Sequence, residues 1–248
     1  MHAVIIISAN TEWRATWPLF PNAQAQSSPL GEWFETKIKP PETEGNVGIR
    51  TGMLRDTGYR AVFIHGGWGK IAAAASAQYA IDRWSPQVLI NLGACGGFRG
   101  EIARGEILLV NKTIVYDIVE QMTDPDEAIR RYTTEIDLSW LREPYPQPVR
   151  RTLIVSGDRD LIPAEVPMLK ERFGAAAGDW ESGAIAWVAA RNGARCLILR
   201  GVTDLVGPDG GEAYAGNRHI FAEGAAAIMK QLIDHLPAWI EKATRTPR

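Results

Sequence analysis

Cysteine is scarce in this chain: Cys95 and Cys196 are the only two among 248 residues, and they stand far apart. That excludes a disulfide framework and a multi-cysteine zinc site. Cys196 lies within the apolar run "RCLILR" and is expected to be a packed thiol. The four histidines (His2, His65, His219 and His235) show no metal-ligand spacing and no HExxH, so no metal is expected. Net charge is also small, at −2, which leaves no electrostatic footprint for nucleic acid or a membrane surface. Long apolar runs are missing. The N-terminal "HAVIIISAN" is too short to span a bilayer, runs straight into Thr11 and Glu12, and lacks a basic leader. It reads as a first core strand of a cytoplasmic protein. There is no GxSxG elbow for Ser-His-Asp catalysis. "GGWGKI" is not a phosphate loop, because the first glycine would have to be Ile64 and no Ser or Thr follows Lys70. "GACGG" matches no dinucleotide fingerprint, and no cofactor is expected.

What the chain does have is an alternation of short apolar runs and longer helical patterns. "AVIII" (3–7), "YRAVFIHGG" (59–67), "QVLINLG" (87–93), "RTLIVSGD" (151–158) and "RCLILRGVTD" (195–204) read as strands, and "GEILLVNKTIVYDI" as one or two more. Helices are expected after Asn10, ending before Pro18, in "GKIAAAASAQYAIDRW", near 164–173, and at the C-terminus. In the terminal helix Phe221, Ala225, Ile228, Leu232 and Leu236 form a stripe at spacings of three and four. Strands apolar at consecutive positions are covered on both faces. The expectation is one α/β domain over 1–248, with a central twisted mixed sheet flanked by helices. The stretches 39–58 and 122–150 read as surface excursions.

Ligands of such sheets gather beyond the carboxyl ends of the strands. That rule selects Asn10–Glu12, Gly66–Lys70, Gly93–Gly97, Ser156–Leu161 and Thr203–Asp204. Glu181 opens an apolar helix and Asp204 closes an apolar strand, as expected if both face one cleft. Each feature also has a plainer reading. The glycines serve as tight turns, Glu12 supports a first helical turn, and Asp158 and Asp204 act as caps.

The ordered set of a first strand with Glu12, "GGWGK", "NLGACGG", "RGEILLV", "SGD", "DWESGAIA" and "LRGVTD" resembles the nucleoside phosphorylase/nucleosidase superfamily. It is most like the methylthioadenosine/S-adenosylhomocysteine nucleosidase branch, from Ala3 to about Ile233. The resemblance implies cleavage of an N-ribosidic bond in a purine nucleoside by water. Asp204 would be the general acid toward purine N7, its pKa raised by burial. Glu12 would hold the nucleophilic water, and Glu181 would accept the ribose hydroxyls. Arg200 and Thr203 match positions that support or neighbour the acid. Ala94, Cys95 and Gly96 would lie along ribose and base, and Leu161 would offer its amide and carbonyl to the purine edge. Glu12 stands where a phosphate would need positive charge or backbone amides, which favours hydrolysis over phosphorolysis.

The chain also departs from that branch. Trp180 replaces a methionine under the ribose, and Trp68 replaces a small aliphatic residue. Asp160 stands where an aromatic would stack on the base, while Tyr214, ten residues past Asp204, would cover the substrate. Trp68 and Trp180 also fit a plainer role as core filler. Two readings besides a nucleosidase stay open: a non-catalytic nucleoside-binding protein on the same fold, and a purine nucleoside phosphorylase. The resemblance and the nine tryptophans together point to a homodimer with aromatics in its interface.

Overall fold

The computed structural model describes residues 1–41 and 58–245, so most of the excursion expected at 39–58 lies outside the described residues. The chain runs through β1 (Ala3–Ile7), α1 (Asn10–Thr16), β2 (Gln26–Ser28), β3 (Gly31–Ile38), β4 (Tyr59–His65) and α2 (Gly69–Trp84). It continues through β5 (Val88–Phe98), β6 (Ile107–Val115), α3 (Pro125–Arg131), β7 (Thr133–Glu135), β8 (Arg150–Ser156) and α4 (Val166–Phe173). The last elements are β9 (Ala177–Asp179), α5 (Ser182–Arg191), β10 (Cys196–Gly207), β11 (Gly210–Gly211) and α6 (Arg218–Arg245).

The strands form one mixed sheet. Every residue of β1 is buried, as its unbroken apolar run requires, and β1 lies parallel between β4 and β5. Beyond β4 come antiparallel β3 and then β2. On the other side the sheet curls shut. β5 pairs with both β9 and β10, and the circuit closes through β8 and β6. Helix α2 packs on α5, while α6 packs on α1, β5 and β10. The strand-rich α/β architecture with flanking helices is the one read from the sequence.

Several local expectations need correction. Residues 93–97 are not a turn beyond a strand, because β5 runs unbroken to Phe98, and Thr203 and Asp204 likewise lie inside β10. The cause is closure: this half of β5 keeps pairing with the far half of β10, so neither strand stops where its apolar run does. The stretch 122–150 is more than an excursion. It contains α3 and β7, and Ile136, Leu138, Trp140 and Leu141 are buried in the main core. In α6 the predicted stripe is buried from Ala225 to Leu236 and continues through Trp239 and Ile240. Phe221 instead lines a cavity. Helix α1 stops at Thr16, before a 3-10 turn that contains Pro18. Of the tryptophans, Trp13, Trp33, Trp140 and Trp239 are absorbed into the core, while Trp68 is 66% exposed.

The seating of α6 depends on one position in β10. A Cβ at Gly201 would lie 2.3 Å from Ile228 Cγ2, so only glycine lets this helix approach the sheet. Gly201→Ala is expected to destabilise the fold by about 1–3 kcal/mol through overpacking. The check is the urea midpoint of the variant, and a midpoint equal to that of the wild type contradicts the account.

Candidate active site

Closure of the sheet leaves a cavity of about 490 Å³ between β5, β10, the start of α1, and the loops before α4 and α5. Its wall includes Glu12, Trp68, Ala94, Cys95, Gly96, Asp160, Leu161, Trp180, Glu181, Thr203, Asp204 and Tyr214. Every site residue expected from the sequence is therefore in the wall except Arg200.

Arg200 is fully buried beneath the cavity and does not reach the ligand space. Nor does it support Asp204, as the resemblance implied. Its Nε lies 2.8 Å from Asp179 Oδ2 and donates to Ser182 Oγ at 2.9 Å. Nη2 donates to Asn91 Oδ1 at 2.7 Å and stands 3.8 Å from Glu181 Oε2. The reason is its place on β10: its side chain points into the layer where β5, β9 and α5 meet. Burial works against its charge, but Asp179, Glu12 and Glu181 outweigh this and hold its pKa above the ordinary value. Asp179 was not singled out from the sequence. Its signal was its place in the same "GDWES" turn as Glu181, where it accepts bonds from Ser156 and from the Ser182 amide.

Glu12 sits in the first turn of α1, where a carboxylate complements the helix dipole. Its Oε2 accepts the Ala9 amide at 3.3 Å and Oε1 the Ala94 amide at 2.6 Å, so the plain role and the site role coexist. A Cβ at Gly93 would lie 2.0 Å from Arg200 Nη1 and 2.9 Å from Glu12 Oε1. The missing side chain lets guanidinium and carboxylate face each other, and that Nη1 has no hydrogen-bond partner. Burial raises the pKa of Glu12, against Arg200 and the two amides.

Asp204 owes its aim to a bulge. The pairing of β10 with β5 shifts register between Val202 and Asp204, leaving Thr203 as the extra residue. Thr203 Oγ1 is 2.8 Å from Asp204 Oδ1 and 3.3 Å from the Cys95 carbonyl. Burial raises the pKa of Asp204, with the Thr203 bond opposing and Glu212 and Asp160 adding to the rise.

The mouth of the cavity is built by turns and helix starts. The Gly69 amide, at the start of α2, donates to Glu181 Oε1 at 3.2 Å, and the Lys70 amide to Asp158 Oδ1 at 2.7 Å. Asp158 thus does cap a helix, though not its own. Trp68, just before α2, stacks on Trp180 with ring centroids 5.0 Å apart, so neither indole is core filler. Arg159, from the expected segment Ser156–Leu161, also lines the wall, as do Arg218 and Phe221, which were not anticipated there. Leu161 is placed as expected, but its carbonyl accepts the Tyr214 hydroxyl at 2.8 Å. Among the described residues no group of three or more His, Cys, Asp or Glu side chains is placed to hold a metal ion.

A mixed sheet curled around a carboxylate-lined cavity defines an α/β protein of the nucleoside phosphorylase type. A family model described as the phosphorylase superfamily matches residues 27–236, and the chain belongs to that superfamily. It is 27% identical over 192 residues to a 5′-methylthioadenosine/S-adenosylhomocysteine nucleosidase of Maridesulfovibrio salexigens, covering 71% of this chain and 82% of that one. The corresponding nucleosidase of Tolumonas auensis is 22% identical over 191 residues, covering 72% and 83%. Among solved structures, the nucleosidase of Helicobacter pylori with butyl-thio-DADMe-Immucillin-A superposes with a TM-score of 0.73 at 15% identity, over 95% of this chain and 97% of that one. The Streptococcus pyogenes nucleosidase with 5-methylthiotubericidin gives 0.70 at 16% identity, over 99% and 97%.

Three carboxylates around one guanidinium make the site sensitive to pH. Burial pushes the Glu181 carboxyl up to about 8, against Arg200 and with Asp179 and Glu12 adding to the rise. Between its ordinary 4.5 and about 8, the folded protein holds a proton that the unfolded chain has lost. The contribution is therefore fully present below 4.5 and is lost as pH climbs through about 8. Glu181→Gln is expected to flatten the fall of thermal stability across that window. Unfolding scans of both proteins at several pH values check this, and equal slopes would contradict it.

Proposed function

We propose that this protein is a purine nucleoside N-ribohydrolase acting on a 5′-modified adenosine-type nucleoside. The substrate class is that of methylthioadenosine and S-adenosylhomocysteine, or a related nucleoside such as futalosine. The observation that supports this best is the convergence on one cavity of Glu12, Glu181 and Asp204, each buried and each with a raised pKa. The nucleosidase relatives and the structures solved with nucleoside analogues support the same reading.

Breaking an N-ribosidic bond leaves positive charge on the sugar and the bonding electron pair on the purine, much as in O-glycoside hydrolysis. A protonated Asp204 donates its proton to purine N7 as that pair departs, and the burial that raises its pKa favours the protonated form. The Thr203 hydroxyl then steadies the carboxylate that remains. Glu12 orients a water at the anomeric carbon and takes its proton as the new C–O bond forms. Glu181 accepts the ribose hydroxyls, a bond that strengthens as the sugar becomes cationic.

Hydrolysis is favoured over phosphorolysis because the amides of Ala9 and Ala94 are already spent on Glu12. A phosphate at that turn would meet a carboxylate in place of free N–H groups. At the outer end, the Trp68–Trp180 stack replaces narrow aliphatic walls with flat apolar surface. That surface favours a compact or planar 5′ group and disfavours a long charged tail.

Asp204→Asn is expected to lower turnover by about 10²–10⁴-fold with the fold intact. The assay is release of free purine in phosphate-free buffer. A folded Asn variant of wild-type activity removes Asp204 from the mechanism, and purine release by the wild type that needs added phosphate and yields a ribose 1-phosphate makes the enzyme a phosphorylase. Trp68→Ile is expected to raise kcat/KM for S-adenosylhomocysteine relative to methylthioadenosine. Native protein that already cleaves both equally well contradicts the specificity reading.

A further inference from the structure

We infer that Tyr214 is a specificity-determining residue at the base end of the cavity, because its hydroxyl occupies the acceptor that a base with an exocyclic amine would use. The inference rests on the nucleosidase reading, in which the purine lies against Asp204. The Leu161 side chain reaches the strand position paired with that acid. Leu161 Cδ1 packs within 3.1 Å of where a Cβ of Gly96 would stand, and Gly96 is the strand partner of Asp204. Leu161, Asp204 and Tyr214 all line the same wall.

Leu161 offers two main-chain polar groups there. Its amide donates to no group among the described residues, whereas its carbonyl accepts the Tyr214 hydroxyl at 2.8 Å. A base whose edge pairs a ring nitrogen with an amine matches this donor and acceptor, but its amine must crowd in beside the phenol on the carbonyl's second lone pair or displace it. The phenol is held in place. Its ring lies against Gly211, where a Cβ would come within 2.6 Å of it, and it packs on the cluster around Phe98, Leu161 and Val206. The backbone that carries it is constrained as well: Ala215 has φ 51°, a left-handed conformation costly for a residue with a Cβ. Tyr214 therefore sets a toll on the amine of the base and none on its ring nitrogens.

The test is titration of adenine and of unsubstituted purine, which lacks the amine, into wild type and Tyr214→Phe. Removing the hydroxyl leaves a half-enclosed carbonyl to be satisfied by the ligand. Adenine is expected to bind about tenfold more tightly to the variant, with purine unchanged within about twofold. Tyr214→Met, which also lacks the hydroxyl, is expected to shift the adenine-to-purine ratio in the same direction, so the inference can be tested even if the Phe variant misfolds. A ratio unchanged in the folded variants overturns the inference. If the wild type cleaves adenosine-type nucleosides while the ratio stays fixed, the nucleosidase reading survives without this role for Tyr214. If the wild type cleaves none and binds neither base, both fall.

Discussion

A guanidinium with no access to water is tolerated only when its charge and its donors are answered on nearly every side. Arg200 meets that condition through six elements. Asn91 on β5 accepts from it and donates in turn to the Ile6 carbonyl of β1. Asp179 on β9 pairs with it and accepts the Ser156 hydroxyl of β8, while Ser156 takes the Gly183 amide of α5. Arg200 itself sits on β10. The strands that close the circuit are thus bound to one another through a single cation as well as through their ladders. The same cation sets the electrostatics of the cavity. Asp179, Glu181 and Glu12 surround one positive charge, so full ionisation would leave an uncompensated excess of negative charge in a buried place. The upward pull on the Glu181 pKa is the outcome.

The long strands explain why Asp204 and Glu12 line one cavity. An apolar run ending at Gly93 would normally mark the end of a central strand. Here β5 continues as "GACGGF" because β10 continues beside it, and a bulge at Thr203 turns the acid toward the space this creates. Bulges near active sites commonly re-aim a side chain in this way. The bare Cα of Gly93 then lets Arg200 and Glu12 approach across β5, so the cation that ties the strands also stands next to the proposed water site.

Much of this was legible in the sequence, for identifiable reasons. β1, the middle of β4 and the end of β8 are buried on both faces, so their apolar runs mark them and point to a covered sheet. Glu12, Glu181 and Asp204 stood out because carboxylates adjoin apolar runs only where something requires them. What could not be read was long-range. No local pattern says that β5 will pair with β10 beyond Gly93, so two of the five expected segments, 93–97 and 203–204, were placed past strand ends that do not exist. Arg200 looked like a neighbour of Asp204 because residues four apart in a regular strand share a face, but the bulge at Thr203 reverses that parity, and Arg200 finds its partners on β5, β9 and α5. The burial of 136–141 escaped notice because its apolar residues alternate with Asp137 and Ser139 in a segment that lacks regular structure.

The departures from the nucleosidase pattern fall on one kind of structure. Trp68 precedes α2, Asp160 lies in the connection before α4, and Tyr214 lies between β11 and α6. Trp180 lies in the turn between Asp179 and Glu181, yet none of the four is a hydrogen-bond or ion-pair partner of Arg200, so exchanging them changes the shape of the cavity without leaving a buried charge unpaired. One link remains between wall and chemistry. Glu181 accepts the Gly69 amide, the residue immediately after Trp68, at the positive end of α2. Ionising Glu181 strengthens that bond. The charge state of Glu181 and the position of the outer indole are therefore coupled through a single helix terminus, and the two stacked tryptophans sit on a backbone that the site itself holds.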